Sequence, residues 1–331
     1  MQPGSAHQTF YQQISANRRR SLVLVAILTA VLAVFGFVIG FAMSGGYWQG
    51  GVVATVIAVA IAMLMTSVSY FAGDGIVLGV SGARQIDDSV APQLMNVVRE
   101  LAIAANVPMP RVYLINDTAP NAFATGRDPG HASVAVTTGL LEKLDREELQ
   151  GVIGHELSHV RNLDIRFALL VGVLVGSIAL LSDFFLRFTF WGGLGGRGNR
   201  RGGGGGGLVI VAIVIGLILA VIAPFVARLV QLAVSRQREY LADSSSVELT
   251  RNPYGLERAL AKISSDREVL EVANRATQHL YLVNPIKKWE SRAAGLMATH
   301  PPIVDRINRL RALSGEGPMD PQSLQALSGL D

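Results

Sequence analysis

The chain has 331 residues, of which 50% are hydrophobic and 16% are charged, and its mean hydropathy is +0.37. This composition is unusual for a soluble enzyme and indicates a membrane protein. The absence of cysteine excludes disulfides and thiolate metal sites, so any zinc must be bound by histidine and carboxylate ligands. The net charge of +4 is small and its arginines cluster beside apolar segments, which argues against nucleic acid as a partner.

A polar N-terminal segment, residues 1–20, ends in three arginines and precedes two apolar stretches. Residues 21–43 and 51–72 are each long enough to cross about 30 Å of hydrocarbon as a helix. The first stretch is too long for the apolar region of a signal peptide, so we interpret residues 21–73 as an uncleaved transmembrane hairpin. The arginines predict a cytoplasmic N-terminus, and two crossings return the chain to the cytoplasm.

Residues 74–165 have the composition of the first half of a soluble domain. Helical periodicity predicts a helix over residues 88–106, and short apolar runs predict strands over 111–116 and 132–138. We expect a loop between the two strands that contains the sequence Asn-Ala-Phe-Ala-Thr-Gly, in which Asn121 is a candidate substrate-binding residue. The strands either form core sheet only or present an edge that takes up an extended peptide by strand addition.

A His-Glu-x-x-His motif near the middle of the chain lies on a predicted helix. Asp145 is the expected N-cap, with Glu148 three residues later in a capping-box pattern, and apolar residues follow at helical spacing. His155 and His159 are four residues apart, so both imidazoles can reach one metal ion from the same side of the helix. Glu156 lies beside them, where it can hold a water molecule as a general base for hydrolysis. A third ligand must come from elsewhere in the chain.

Residues 166–230 contain a second apolar pair, residues 167–182 and 208–227, around a loop rich in glycine and arginine. We interpret the six glycines of the loop, residues 202–207, as a flexible link, because no strand precedes them and no Gly-Lys-Ser/Thr sequence follows. The third apolar stretch is short, and the loop arginines argue against placing the loop outside. The pair either spans the bilayer or forms an embedded hairpin that does not cross fully. Both options return the chain to the side it left.

An acidic pair follows the fourth apolar stretch. Glu239 and Asp243 are four residues apart on a predicted helix, so they share one face. Glu239 can complete a His-His-Glu site with an open position for water, and Asp243 can orient a ligating imidazole. By itself such a pair is typical of a solvated helix face. After a His-Glu-x-x-His helix, it predicts the missing ligand.

The remaining residues close the soluble domain. Residues 231–313 form its second half, in which we expect further helices, and residues 314–331 are expected to be a mobile tail because they are rich in glycine and proline. A Thr-His-Pro-Pro sequence precedes the last predicted helix. His300 in that sequence and Arg306 in the helix are candidate donors that stabilise the oxyanion of a tetrahedral intermediate. The other histidines, interpreted as structural or surface residues, are His7, His131 and His279.

The order of these motifs resembles that of the HtpX-type membrane zinc metalloproteases over nearly the whole chain. The shared features are the two apolar pairs, the Asn-Ala-Phe-Ala-Thr-Gly sequence, the His-Glu-x-x-His motif, residues 235–243 with Ser-Arg-Gln-Arg-Glu-Tyr, and residues 299–306. The resemblance implies a mainly α membrane protein with a small β-sheet. In that fold, a gluzincin-like zinc metalloprotease domain is carried on two hydrophobic helical hairpins.

The resemblance also implies roles and a setting. His155, His159 and Glu239 would bind one Zn²⁺ per chain, with Glu156 as the catalytic base. The protein would be an ATP-independent endopeptidase, multi-pass in the inner membrane of a bacterium, with its active site facing the cytoplasm. Its substrates would be misfolded or damaged membrane proteins in quality control and stress response, and its partners the lipid bilayer and a larger ATP-dependent protease. The glycine-rich loop is longer and more basic than is typical of the family. This difference bears on the membrane topology of the chain and not on its expected catalytic chemistry.

Two alternative functions stay open. One is a prenyl-protein processing protease, which shares these zinc motifs but has more transmembrane segments than the four apolar stretches here. The other is a catalytically silent membrane chaperone or scaffold. The intact Glu156 argues against a silent protein, because loss of the base is the simplest way to become inactive.

Overall fold

The computed structural model describes residues 10–191, 206–266, 268, 301–319 and 322. In these residues helices predominate and the strands form one small sheet. The helices are α1 (Phe10–Met43), α2 (Trp48–Val80), α3 (Pro92–Ala105), α4 (Thr138–Lys143), α5 (Arg146–Arg161), α6 (Asp164–Trp191), α7 (Gly206–Thr250), α8 (Pro253–Ser265) and α9 (Ile303–Leu313). The expected fold class, a mainly α membrane protein with a small sheet, is confirmed.

The chain divides by its internal contacts into two units. The first unit contains residues 1–69 and 167–233, and the second contains residues 70–166 and 234–331. The second unit is therefore built from two separate parts of the sequence, and both metal-binding motifs predicted above belong to it.

Long apolar helices make up the first unit. Three helices in the described residues are long and apolar enough to cross a membrane, over Val25–Met43, Trp48–Val80 and Ile210–Leu229. They contain most of the first, second and fourth apolar stretches. The third stretch lies in α6, which is not among these three spans of the described residues.

Small residues bring α1 and α2 into close contact. A Cβ atom on Gly40 would overlap the carbonyl oxygen of Gly50 and the side chain of Ala54. The hydroxyl of Thr55 in α2 donates a hydrogen bond of 3.2 Å to the carbonyl of Ala33 in α1. Close approach through small residues is the usual way in which transmembrane helices pack, since lipid removes the hydrophobic drive for their association.

The sheet of the second unit has four strands in the order β1-β2-β4-β3. They are β1 (Arg84–Gln85), β2 (Arg111–Ile115), β3 (Ala122–Thr125) and β4 (Ser133–Thr137). β2 and β4 are parallel, and β1 and β3 each pair antiparallel with their neighbour. The two predicted strands are confirmed as β2 and β4. The predicted helix is also confirmed as α3, although it begins at Pro92, because proline is favoured in the first turn and disfavours helix in the residue before it.

The prediction of a loop around the Asn-Ala-Phe-Ala-Thr-Gly sequence is wrong, because the four central residues of this sequence form β3 at one edge of the sheet. The strand pairs with β4 from Ala122 opposite Val136 to Thr125 opposite Ser133. Phe123 points to the face of the sheet opposite to its alanine neighbours, as strand alternation requires. The flanking asparagine and glycine resemble turn residues, and only pairing with β4 makes the short segment a strand.

Helices cover both faces of this sheet. The last turns of α2 supply Leu78 to a cluster with Ile115 and Phe123 on one face. The main core lies on the other face, where α3, α5, α8 and α9 contribute buried leucine, isoleucine and valine side chains. α5 and α8 approach so closely that a Cβ atom on Gly151 would overlap the backbone of Leu256. The helix with the His-Glu-x-x-His motif is therefore held firmly between the sheet and α8.

Contacts with the core continue beyond α9. The amide of Met319 donates a hydrogen bond of 2.7 Å to the side chain of Asn308, and the Met319 side chain is buried. The part of the predicted mobile tail up to this methionine is thus held against α9.

Candidate metal centre

The predicted capping box at the start of α5 is confirmed. The Asp145 carboxylate accepts a hydrogen bond from the amide of Glu148, and the Glu148 carboxylate accepts one from the amide of Asp145, each at 2.9 Å. This cap fixes the first residue of α5, and helical periodicity then directs the first histidine and the glutamate of the motif into the protein interior. His155 is 1% exposed and Glu156 is 3% exposed.

Donor atoms of three side chains converge in the second unit. Nε2 of His155 and Nε2 of His159 are 3.2 Å apart, and the carboxylate oxygens of Glu239 lie 3.6 and 3.5 Å from these two nitrogens. A tetrahedral metal ion bound at about 2.0–2.1 Å by each donor places its donors about 3.3–3.4 Å apart. The three side chains therefore fit a single metal ion, and among the described residues they form a cluster with that capacity.

A carboxylate holds the far nitrogen of each imidazole. Nδ1 of His155 lies 2.9 Å from the Asp243 carboxylate, and Nδ1 of His159 lies 3.1 Å from the Asp164 carboxylate. An ionised carboxylate only accepts hydrogen bonds, so in the neutral form of each ring Nδ1 carries the hydrogen and Nε2 presents its lone pair to the shared point. Both rings are thus fixed in the orientation and tautomer that a metal ligand needs.

The carboxylates also affect protonation of the two imidazoles. Burial lowers the pKa of His155, but hydrogen bonds to Asp243 and Glu239 outweigh it and the pKa is raised. Burial likewise opposes the charged form of His159, and the hydrogen bonds to Asp164 and Glu239 raise its pKa well above the usual value. A metal ion must therefore displace protons from this site, so that binding releases them.

Arg306 is completely buried beside the carboxylates. Its Nε and Nη2 donate to the two oxygens of Asp243 at 2.9 and 2.7 Å, and its Nη1 lies 3.4 Å from Glu239. Burial alone raises the pKa of Asp243, but the Arg306 charge and the His155 hydrogen bond reverse that effect and the pKa is lowered. The guanidinium therefore keeps Asp243 ionised in the protein interior, where an unpaired charge is costly.

Glu156 lies among the three candidate metal ligands and next to the edge strand. Burial raises the pKa of its carboxyl, the two imidazoles lower it, and the charge of Glu239 raises it further. The net shift is upward, with the amide of Ala124 in β3 as a hydrogen-bond donor to the carboxylate. A buried carboxylate whose pKa is raised holds a transferred proton more readily than an exposed one does.

Comparison with known proteins settles the family. The model of peptidase family M48 matches residues 88–314, which include both halves of the site. The chain belongs to peptidase family M48. A protease HtpX homolog from Streptococcus gordonii is 43% identical over 303 residues, 92% of this chain and 99% of that protein. Another from Levilactobacillus brevis is 45% identical over 304 residues, with the same coverage.

A solved structure is also similar to this M48 peptidase. The crystal structure of S. mikatae Ste24p matches with a TM-score of 0.49 and 19% identity, over 91% of this chain and 67% of that chain. The family and the HtpX homologs confirm the predicted resemblance and make the chain a membrane metalloprotease with a metal cofactor and polypeptide substrates. The family and these relatives do not support the alternative of a catalytically silent chaperone or scaffold.

The structure of this M48 peptidase brings most of the predicted site residues into one cluster, in which all members are buried except His159, which is half-buried. These are His155, Glu156, His159, Glu239, Asp243 and Arg306. Asn121 is buried immediately before β3, where its side-chain oxygen accepts a hydrogen bond of 3.0 Å from the amide of Ala122. His300 lies outside the described residues.

Sequence reasoning missed two residues, Asp164 and Arg238. Asp164 contacts His159 from the first turn of α6, and Arg238 contacts Asp164 from α7. Helical spacing gives no signal for Asp164, because α5 ends at Arg161 and residues five positions apart do not share one face of a helix. Arg238 carries no signal either, because an arginine beside a glutamate on a helix usually faces solvent.

Proposed function

We propose that this chain is a zinc-dependent endopeptidase of a bacterial inner membrane, with its active site on the cytoplasmic side. The observation that carries this proposal is the convergence of two imidazoles and one carboxylate, with a buried glutamate beside them. Zinc is the metal that this donor set favours in a chain without cysteine, and three protein ligands leave a position open as in catalytic zinc sites.

Glu156 acts as the general base in the proposed reaction. When bound, zinc supplies a Lewis acid that polarises the scissile carbonyl and makes water more acidic. Glu156 takes a proton from the attacking water on a carboxylate oxygen and later donates it to the leaving amine nitrogen. Its burial excludes bulk water from that proton transfer, and its raised pKa makes the protonated state accessible in the cycle.

Substrate binding in this proposal uses the edge strand. β3 pairs with β4 on one side only among the described strands, and it packs against α5, which carries Glu156. An extended polypeptide added to this edge would lie beside the base. Asn121 would help to bind the substrate at the start of β3, since its side chain already accepts a hydrogen bond from the backbone there.

Arg306 and His300 are the proposed stabilisers of the transition state. The Arg306 guanidinium is bound to Asp243 and lies near Glu239. We therefore propose that it stabilises the transition state through its positive charge beside the ligands and not by donating a hydrogen bond to the substrate. The proposed substrates are misfolded or damaged membrane proteins, handled under stress alongside a larger ATP-dependent protease. This part of the proposal rests on the resemblance to HtpX-type proteases.

Glu239→Ala is expected to remove zinc from the purified protein. Wild type should carry about one zinc ion per chain and cleave unfolded casein until a chelator is added, because the site needs three ligands to hold the metal. Glu248→Ala is a matched control, since Glu248 lies on the same helix and pairs with Arg161 away from the three donors. Atomic absorption measures the metal, and full zinc content in Glu239→Ala would remove this residue from the site.

The proposed topology predicts which side of the membrane each exposed residue faces. Because the chain has no cysteine, single cysteines can be introduced cleanly. Glu142→Cys, in α4, should resist a membrane-impermeant maleimide in spheroplasts and react in inverted vesicles. Tyr47→Cys, between α1 and α2, should show the opposite pattern. Reaction of Glu142→Cys in intact spheroplasts would place the active site outside.

A further inference from the structure

Asp164 and Arg238 lie where the chain leaves and re-enters the second unit. That unit ends its first part at Arg166 and resumes at Val234, so residues 167–233, which include most of α6 and the first part of α7, interrupt it in the sequence. Asp164 is 4% exposed and Arg238 is also 4% exposed. Both residues belong to the second unit, and they come from its two separate sequence segments.

The contacts of Asp164 join three helices. Its Oδ2 lies 3.1 Å from Nδ1 of His159 in α5, and its Oδ1 lies 3.4 Å from Nη1 of Arg238 in α7. The same Arg238 nitrogen donates a hydrogen bond of 2.7 Å to the main-chain oxygen of Asp164. Arg238 thus holds both the backbone and the side chain of the residue that orients the imidazole.

The backbone before Asp164 explains why it needs to be held. α5 ends at Arg161, and Leu163 has a φ of +59°, a left-handed conformation that a leucine rarely adopts. Leu163 turns the chain so that α6 begins with Asp164, whose carboxylate lies beside His159. Such a conformation is energetically unfavourable for leucine and persists only where surrounding contacts impose it.

We propose that Asp164 and Arg238 form a positioning clasp, which joins the two sequence segments of the second unit and fixes His159 for metal binding. This inference rests on the proposed function, because it takes His159 as a metal ligand. The clasp resembles the support of the other histidine, where Asp243 holds His155 and Arg306 holds Asp243. It differs in that Arg238 adjoins Glu239, so one turn of α7 supplies both a ligand and the support of another ligand.

Asp164→Asn tests the clasp with little change of volume. It should weaken zinc binding about 10- to 100-fold in competition with a chromophoric chelator, as loss of such supporting contacts does at other metal sites. Arg238→Gln should act in the same direction, and Arg238→Lys should restore part of the affinity. The visible absorption of bound Co²⁺ should change in Asp164→Asn, since the imidazole is no longer held in one orientation.

Glu257→Gln is the matched control. Glu257 is a buried carboxylate of the same unit that pairs with Arg311 at 3.0 Å. Its variant should lower the thermal unfolding temperature in chelator without changing zinc affinity. A structural role alone would make Asp164→Asn behave like this control.

His159→Ala separates failure of the clasp from failure of the proposed site. If His159→Ala loses zinc while Asp164→Asn binds it as wild type does, the clasp is wrong and the ligand set stands. If His159→Ala retains zinc, the ligand set itself is wrong. Should Asp164→Asn not fold, Arg238→Gln decides, and unchanged zinc affinity in it overturns the clasp.

Discussion

Glu156→Gln is expected to abolish peptide hydrolysis in a protein that remains folded and keeps its metal. Glutamine preserves the volume of the side chain but cannot take a proton from water or return it to the leaving amine. General-base catalysis contributes about 10²- to 10⁴-fold to a rate, so casein cleavage should fall by at least about 100-fold. Zinc content should stay at the wild-type level, because the three proposed ligands are unchanged.

The control for this variant is another buried glutamate of the same helix. Glu148 is 1% exposed and belongs to the capping box of α5, where it also pairs with Lys262 at 2.8 Å. Glu148→Gln should keep proteolysis and lower the stability by about 1 kcal/mol, the usual effect of weakening a cap. A Glu156→Gln protein that cleaves casein at the normal rate would contradict the proposed base.

The helix that carries the His-Glu-x-x-His motif was predictable because its signals are local. The capping box, the helical spacing of apolar residues and the four-residue separation of His155 and His159 all lie within 15 residues, and each is present in the structure. Glu239 was harder to predict, since it lies 80 positions later. Its prediction depended on the hairpin returning the chain to the same side, and its carboxylate lies within 3.6 Å of both nitrogens.

The features that were missed depend on contacts between distant residues. The segment from Ala122 to Thr125 is a strand because β4 pairs with it, whereas its own flanking residues favour a turn. Asp164 follows the end of α5, and only the left-handed Leu163 turns it back to His159. Helical periodicity carries no information on a residue after the helix has ended, so sequence patterns left this support of the site unseen.

Among the proposed substitutions, Arg306→Met is expected to cause the largest decrease in the free energy of unfolding. It is also expected to reduce metal binding. The guanidinium has no exposed surface, donates twice to Asp243 and lies 3.4 Å from Glu239. Removing one partner of a buried ion pair costs about 3–5 kcal/mol, because the other charge stays buried and unpaired. Chemical denaturation in chelator should show this loss, and atomic absorption should show a reduced zinc content.

A double variant separates the two effects of Arg306. Replacing both partners of a buried pair by apolar residues is much less destabilising than removing one. Arg306→Met combined with Asp243→Leu should therefore regain part of the stability that Arg306→Met loses. It should not regain zinc, because Nδ1 of His155 then has no carboxylate to hold it. Recovery of both stability and zinc would show that Asp243 and Arg306 serve the fold only, whereas recovery of stability alone assigns them to the metal site.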